Sequence, residues 1–253
     1  FIDSFRMTEF SNKYNSEMDT EQLEDAIEKL LSDVLKKLRD VNPDILIEFR
    51  QNYTGPLMQT YGNMLRASDC PYDALTNRMR TLDLRMMSGC GVVHSDMLMW
   101  DKSGSTENAA RQITNVLFSV PQISVKLKDI PAEHMEMLKF YLNFCDKYRD
   151  VLLEGSIHIY QPEMLYSMAY AKKEKRAVAV DFSGAVWNIE SGIDEAVYVN
   201  AAQTNFLYIN AENIDGTYDI LNCRGKIIEK GTLLRNTLKK FNVPVSGMII
   251  IRR

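Results

Sequence analysis

The sequence predicts an α/β fold in two parts: a parallel sheet with covering helices, part of a (β/α)8 barrel, followed by an antiparallel β-sandwich. Three observations carry this. Strand-like and helix-like segments alternate over residues 1–154, the rhythm of a parallel sheet. Polar groups recur just past the strand ends, at Asp3, Glu48, Asp69, and His94 with Asp96. A barrel builds its active site at that end from several strands, whereas a doubly wound sheet uses a single switch point. From Gly155 onward the texture changes to short β-rich runs separated by turn residues, which predicts a second domain over 155–253.

The opening Phe1-Ile2-Asp3-Ser4-Phe5 reads as the tail of a buried strand. Apolar positions at Leu23, Ile27, Leu30, Leu31, Val34, Leu35 and Leu38 follow a helical period over 20–41. Asp19 with Gln22 resembles a capping box, and Asn42-Pro43 ends the helix. Asp44 to Glu48 is a short apolar run closing on a charge, suited to a buried parallel strand. Met64 to Ala67 leads into Ser68-Asp69 and then a helix from about Tyr72 to Met87; Gly91 to His94 leads into Ser95-Asp96 and then a helix from Ser105-Thr106 to Phe118. Val120 to Val125 is another β-branched run, and Pro131 opens a helix through Tyr148.

Beyond Gly155 the predicted strands are Ala177–Val180, Ala196–Asn200, Asn205–Asn210, Gly216–Leu221 and Gly247–Ile251. Turns are expected at Asn213 to Gly216 and at Cys223 to Gly225. Lys172 to Arg176 reads as a solvated hairpin tip.

Composition narrows the function classes. With 253 residues, 45% hydrophobic and 25% charged, the chain is ordinary globular material with a sizeable core. A net charge of −4 gives no basic surface for nucleic acid. No apolar run is long enough to span a membrane. The four cysteines are scattered without a CxxC pair, which suggests reduced thiols, a cytoplasmic setting and neither a disulfide framework nor zinc.

Asp69 is the sharpest candidate for chemistry. Ser68-Asp69-Cys70-Pro71 can be read as the cap of the following helix. It can equally be read as a carboxylic acid at a barrel mouth, which protonates a glycosidic oxygen and later activates water. Asp3 is either a second carboxylate or a structural one. Glu48, with Arg50 or Arg66 as partner, is either functional or scaffold, since an unpaired buried carboxylate is costly. His94-Ser95-Asp96 has poor order and adjacency for a triad, and no further His or Cys supports a zinc site. Tyr53, Tyr61 and Trp100 fall in post-strand loops, where rings stack on sugars or simply pack. Met86, Met87, Met97 and Met99 read as core filler.

Two blocks carry a family resemblance. Arg66 to Arg78, with Ser68-Asp69, Asp73-Ala74 and Arg78, and Val93 to Trp100 resemble the C-terminal half of the barrel of glycoside hydrolase family 36, which contains the bacterial α-galactosidases. The resemblance implies the barrel from the end of its fourth strand through its eighth helix over 1–154, then a β-sandwich domain over 155–253. It implies Asp69 as general acid/base of a retaining double displacement, Asp73 as a supporting carboxylate, and a nucleophile immediately ahead of Phe1, with Asp3 its neighbour. Glu48, Arg50, Arg66, Asp73, Asp3 and Asp96 are the substrate-binding candidates. Arg50 stands where the family's Glu-Asn-Cys would place a Cys in the sugar subsite, and a planar cation there suits another substituent or a carboxylate.

The implied partner is an oligosaccharide or glycoside, with no metal or organic cofactor. Half a barrel leaves two open sheet edges. The first half is therefore expected upstream, or a partner covers the edges; a homo-oligomer is compatible with this. The rival readings are a barrel glycosidase of other sugar specificity and a non-catalytic carbohydrate-binding or scaffold module.

Overall fold

The computed structural model describes residues 22–50, 55–89, 91–212 and 214–253. Asp3, Asp19, Tyr53, Cys90 and Asn213 lie outside the described residues. Helix α1 (Leu23–Val41) ends at Asn42, ahead of Pro43. A parallel four-stranded sheet follows in the order β1 (Glu48–Arg50), β2 (Met64–Arg66), β3 (Val92–Leu98), β4 (Val120–Ile123). Helix α2 (Ala74–Met87) joins β2 to β3, and α3 (Thr106–Thr114) joins β3 to β4. Ser105 caps α3 by accepting from the Asn108 amide at 3.2 Å. Helix α4 (Ala132–Lys147), entered at Pro131, and a short α5 (Arg149–Glu154) complete this part.

Ten further strands follow: β5 (Ser156–Tyr160), β6 (Met168–Lys173), β7 (Arg176–Asp181), β8 (Val186–Asn188), β9 (Glu195–Asn200), β10 (Leu207–Ala211), β11 (Gly216–Leu221), β12 (Ile227–Leu233), β13 (Thr237–Phe241) and β14 (Met248–Arg252). They form a seven-stranded sheet, β12-β11-β14-β9-β7-β6-β5, and a three-stranded sheet, β13-β10-β8. The β6–β7 pair closes at Lys173 opposite Arg176, so the charged cluster is a hairpin tip. Most pairs are antiparallel as the sequence predicts, but β7 with β9 and β8 with β10 are parallel. A parallel neighbour needs a crossover. Here the crossovers are strands: β8 leaves one sheet between β7 and β9, and β9 leaves the other between β8 and β10.

The central strands are buried on both faces, which is why they read as nearly unbroken apolar runs. Val178, Val180, Val197, Val199, Met248 and Ile250 face the helices and share one core with Ile113, Met137, Tyr141 and Val151. Ala177, Ala179, Tyr198, Ile249 and Ile251 face the three-stranded sheet and meet Trp187, Leu207, Ile209 and Phe241. The result is three layers: helices, large sheet, small sheet. Among the described residues no helix is long and apolar enough to cross a membrane. The methionine expectation fails in part: Met86, Met87 and Met97 are exposed, the first two because they end α2 where its buried face has run out.

Candidate active site

The carboxyl ends of β1, β2 and β3 carry a polar cluster. Parallel register aligns Arg50 with Arg66 and Arg66 with His94, so all three lie on one row of the sheet. The other face of these strands presents Phe49, Leu65 and Val93 to Leu84 of α2. Alternation thus divides one strand between core and site.

Asp69 lies just past β2. Its Oδ1 accepts from Arg66 Nη2 at 3.0 Å and from Arg50 Nη1 at 3.4 Å. Its side chain stays 51% exposed. Its backbone carbonyl accepts from Arg80 Nη1 at 3.0 Å. Asp69 does not cap α2. That role belongs to Asp73, whose carboxylate accepts from the Thr76 amide at 3.0 Å and from the Thr76 hydroxyl. These bonds hold the Asp73 carboxyl below its usual range.

Asp96 sits behind the site and does not line it. Its side chain is fully buried, with one oxygen taking Arg66 and the other the Cys70 amide. Asn77 clamps its backbone, donating to the Asp96 carbonyl at 3.3 Å and accepting from the Asp96 amide at 3.0 Å. Arg66 therefore has a buried carboxylate on one side and a solvated one on the other. Cys70, buried beside Asp96, has its thiol pushed up to about 11, first by burial and then by that charge, so it stays protonated and inert.

Glu48 opens β1; the run from Asp44 does not end on it as the sequence suggests. The chain turns at Asn42–Asp44, and Ile47 already accepts from Met64, so the strand enters one step later. Glu48 is thus two residues deeper than Arg50 and pairs with His94 Nδ1, while Gln122 Nε2 lies 3.1 Å from the same nitrogen. His94, Ser95 and Asp96 lie inside β3 and point apart: His94 to Glu48, Ser95 Oγ to the Asp96 carbonyl at 2.8 Å, Asp96 to Arg66. No triad forms. Among the described residues no group of three His, Cys, Asp or Glu side chains could hold a metal ion.

Tyr61 is buried and precedes β2, at the opposite end of the sheet from Asp69, so it cannot meet a sugar there. Trp100 follows β3 at the correct end. Tyr72 escaped sequence reasoning. Cys70 to Asp73 form a tight turn closed by the Asp73 amide on the Cys70 carbonyl at 3.1 Å, with Pro71 at its second position. Tyr72 takes φ 66° at the third, the type II position that favours glycine. For a residue with a Cβ this costs about 1–2 kcal/mol, and the ring is 59% exposed. The Pro71 signal was present, but the strain at Tyr72 was not.

No family model and no curated protein matches the chain. Solved structures do. One is the galactosidase domain of α-galactosidase-sucrose kinase AgaSK, at 11% identity and TM-score 0.49 over 87% of this chain and 31% of that one. Another is a doubly substituted GH36 α-galactosidase AgaA from Geobacillus stearothermophilus in complex with raffinose, at 13% identity and TM-score 0.48 over 88% of this chain and 30% of that one. A third is GH36 α-galactosidase AgaA from Geobacillus stearothermophilus, at 12% identity and TM-score 0.53 over 94% of this chain and 33% of that one. The chain spans about a third of the length of these structures. Over nearly all its own length it shares the fold of part of a GH36 α-galactosidase, and that fold is glycoside hydrolase-like.

Proposed function

We propose that this chain carries the acid/base half of a retaining glycoside hydrolase of the α-galactosidase type. In this reading residues 1–154 are the later half of a (β/α)8 barrel and 155–253 its β-sandwich domain. Asp69 is the general acid/base. The observation that carries the reading is the setting of Asp69: past the carboxyl end of a parallel strand, half exposed, aimed by Arg66 and Arg50, and released from capping by Asp73.

The chemistry is a double displacement. A carboxylate attacks the anomeric carbon while Asp69 protonates the leaving oxygen; Asp69 then deprotonates the water that frees the glycosyl-enzyme. The two carboxyl groups need a separation of about 5–5.5 Å. Among the described residues Asp96 is taken by Arg66 and Cys70, and Glu48 by His94. The nucleophile is taken to lie outside the described residues, as the family resemblance implies. Arg66, Arg50 and Asp96 position Asp69, and no step calls for a metal or organic cofactor.

The test is turnover of a nitrophenyl α-galactoside by the whole protein. Asp69→Asn should lower kcat, which reports the activation of water, by about 10²–10⁴-fold, the worth of a general acid/base; kcat/KM falls less, because nitrophenolate leaves with little protonation. Retention of most of the turnover would remove Asp69 from this role. Arg50 favours a second reading, a barrel glycosidase with another sugar specificity. A panel of nitrophenyl glycosides separates the two.

A further inference from the structure

Among the described residues, three guanidinium groups reach Asp69. Arg66 Nη2 and Arg50 Nη1 both donate to Oδ1, at 3.0 and 3.4 Å, and Arg80 Nη1 donates to the backbone carbonyl at 3.0 Å. Arg50 and Arg66 come from adjacent strands, set opposite each other by the register of β1 and β2. Their contacts on Oδ1 are unequal. The Arg66 side chain is 8% exposed and keeps the buried Asp96 on its other side. The Arg50 side chain is 26% exposed, and its contact is longer than the roughly 2.7–3.2 Å usual for an N–H···O bond.

The acid step changes the charge at this point. A guanidinium only donates, so Oδ1 goes on accepting and the proton that Asp69 delivers sits on Oδ2. Protonation removes one negative charge from beside Arg66 and Arg50. Arg66 still faces Asp96, so the loss falls on the Arg50 contact. In the open site, water screens this change. A bound sugar expels that water, and the same change then counts for far more, because Coulomb energy varies inversely with the dielectric. The closed complex is balanced when the substrate brings a negative charge to Arg50.

We infer that the substrate is a glycoside whose cleaved sugar carries an anionic group, and that Arg50 is the residue that selects it. The inference rests on the glycosidase reading above and names the substrate class of that same site. As Asp69 takes up its proton, Arg50 exchanges its long contact with Oδ1 for the substrate's anion. A carboxylate or a sulfate ester presents two oxygens to the planar guanidinium fork. Arg50 is within reach of the acid/base, and the acid/base is within reach of the glycosidic oxygen, so the anion lies within about one sugar ring of the scissile bond. The substituent on C5 of the cleaved sugar meets that condition, because C5 is joined to the anomeric carbon through the ring oxygen alone.

The experiment gives the whole protein three substrates with one leaving group: nitrophenyl α-galactoside, nitrophenyl α-galacturonide with a carboxylate at C6, and the 6-sulfate of the galactoside. Arg50→Gln removes the charge; Arg50→Lys keeps it. Arg50→Gln should lower kcat/KM for the galacturonide or the 6-sulfate at least about tenfold more than for the neutral galactoside, the worth of a hydrogen bond to a charged group. Whichever charged substrate falls tells a carboxylate from a sulfate. Arg50→Lys should keep most of the ratio. The reactivity of each sugar cancels when ratios are compared between proteins, and a misaligned Asp69 would lower all three substrates alike. An equal loss on all three, no loss on any, a ratio lost equally in both variants, or turnover of the neutral galactoside alone by the unaltered protein overturns the proposal and leaves the glycosidase reading standing. If the unaltered protein turns over none of the three, that reading fails, and calorimetric binding of galacturonate then decides. Binding that weakens about tenfold or more in Arg50→Gln supports an anionic-sugar site at Arg50. No binding, or binding unchanged by the substitution, overturns it.

Discussion

Arg66 pairs with Asp96 across 30 residues of sequence, in the interior, while its outer side meets Asp69 in solvent. The two contacts differ in kind. The inner pair has lost its water on both sides, so removing one partner strands a charge. Asp96→Ala should destabilise the protein by about 3–5 kcal/mol, read as a lower urea midpoint. It also orphans the Cys70 amide and so loosens the turn that carries Tyr72. Arg66→Met with Asp96→Leu should recover part of that loss, because a well-packed apolar pair of similar volume avoids the desolvation cost. A double variant no better than Asp96→Ala would count against this account.

The outer contacts work against high dielectric. Arg50 to Asp69 is 3.4 Å long, and Asp69 is half in water. A double-mutant cycle on Arg50→Ala and Asp69→Asn should give a coupling of about 0–1 kcal/mol, weakening with added salt. A coupling of several kcal/mol, insensitive to salt, would mean the pair is shielded in a way its exposure does not suggest. Arg50 meets Asp69 from the solvent side and does not anchor the fold, unlike Arg66 with its buried Asp96.

Asp73 is the cap, and its loss is read differently. Asp73→Ala should cost about 1 kcal/mol, the usual worth of an N-cap. The sign with pH follows from the lowered carboxyl. In the unfolded chain an Asp titrates near about 3.9, and in the fold Thr76 holds Asp73 below that. The contribution is therefore present in full above the unfolded value and fades as pH falls through the folded one. The stability gap between the two proteins should be flat from about pH 5 to 7 and shrink below about 4. A gap that widens on acidification would reverse the assignment.

What the sequence disclosed follows the same physics. β7, β9 and β14 are sandwiched between helices and a second sheet, so nearly every position is apolar and the strands announce themselves. β12 and β13 lie at sheet edges and carry charge outward, as in Lys230 and Lys240, so no strand is predicted over either. β8 has only three residues, too few for a period. In the site, Asp69 was legible because a strand end and a helix start bracket it. Sequence could not decide between cap and acid/base, since Asp69 and Asp73 both precede the helix and only geometry assigns Thr76 to one of them. Glu48, His94 and Gln122 meet across three strands, and nothing local to any one of them signals the other two.

The shared core makes a last prediction. A boundary at Gly155 divides architecture, yet Val178, Val180, Val197, Val199, Met248 and Ile250 of the large sheet are buried by α3, α4 and α5. Tyr141 of α4 also donates its hydroxyl to the Ser246 carbonyl in the loop before β14. Each such apolar side chain contributes about 1.5–3 kcal/mol by burial. Six of them come to about 9–18 kcal/mol as an upper bound, against a net stability of about 5–15 kcal/mol for a typical domain. Residues 155–253 produced alone should therefore lack a cooperative thermal transition and bind a hydrophobic dye. Within the whole protein, Tyr141→Phe should cost about 1–3 kcal/mol by stranding the buried Ser246 carbonyl, and it should move both halves together in a single transition. A cooperative, dye-free fold for 155–253 alone would show that the small sheet suffices to stabilise the large one and that the helices merely rest on it.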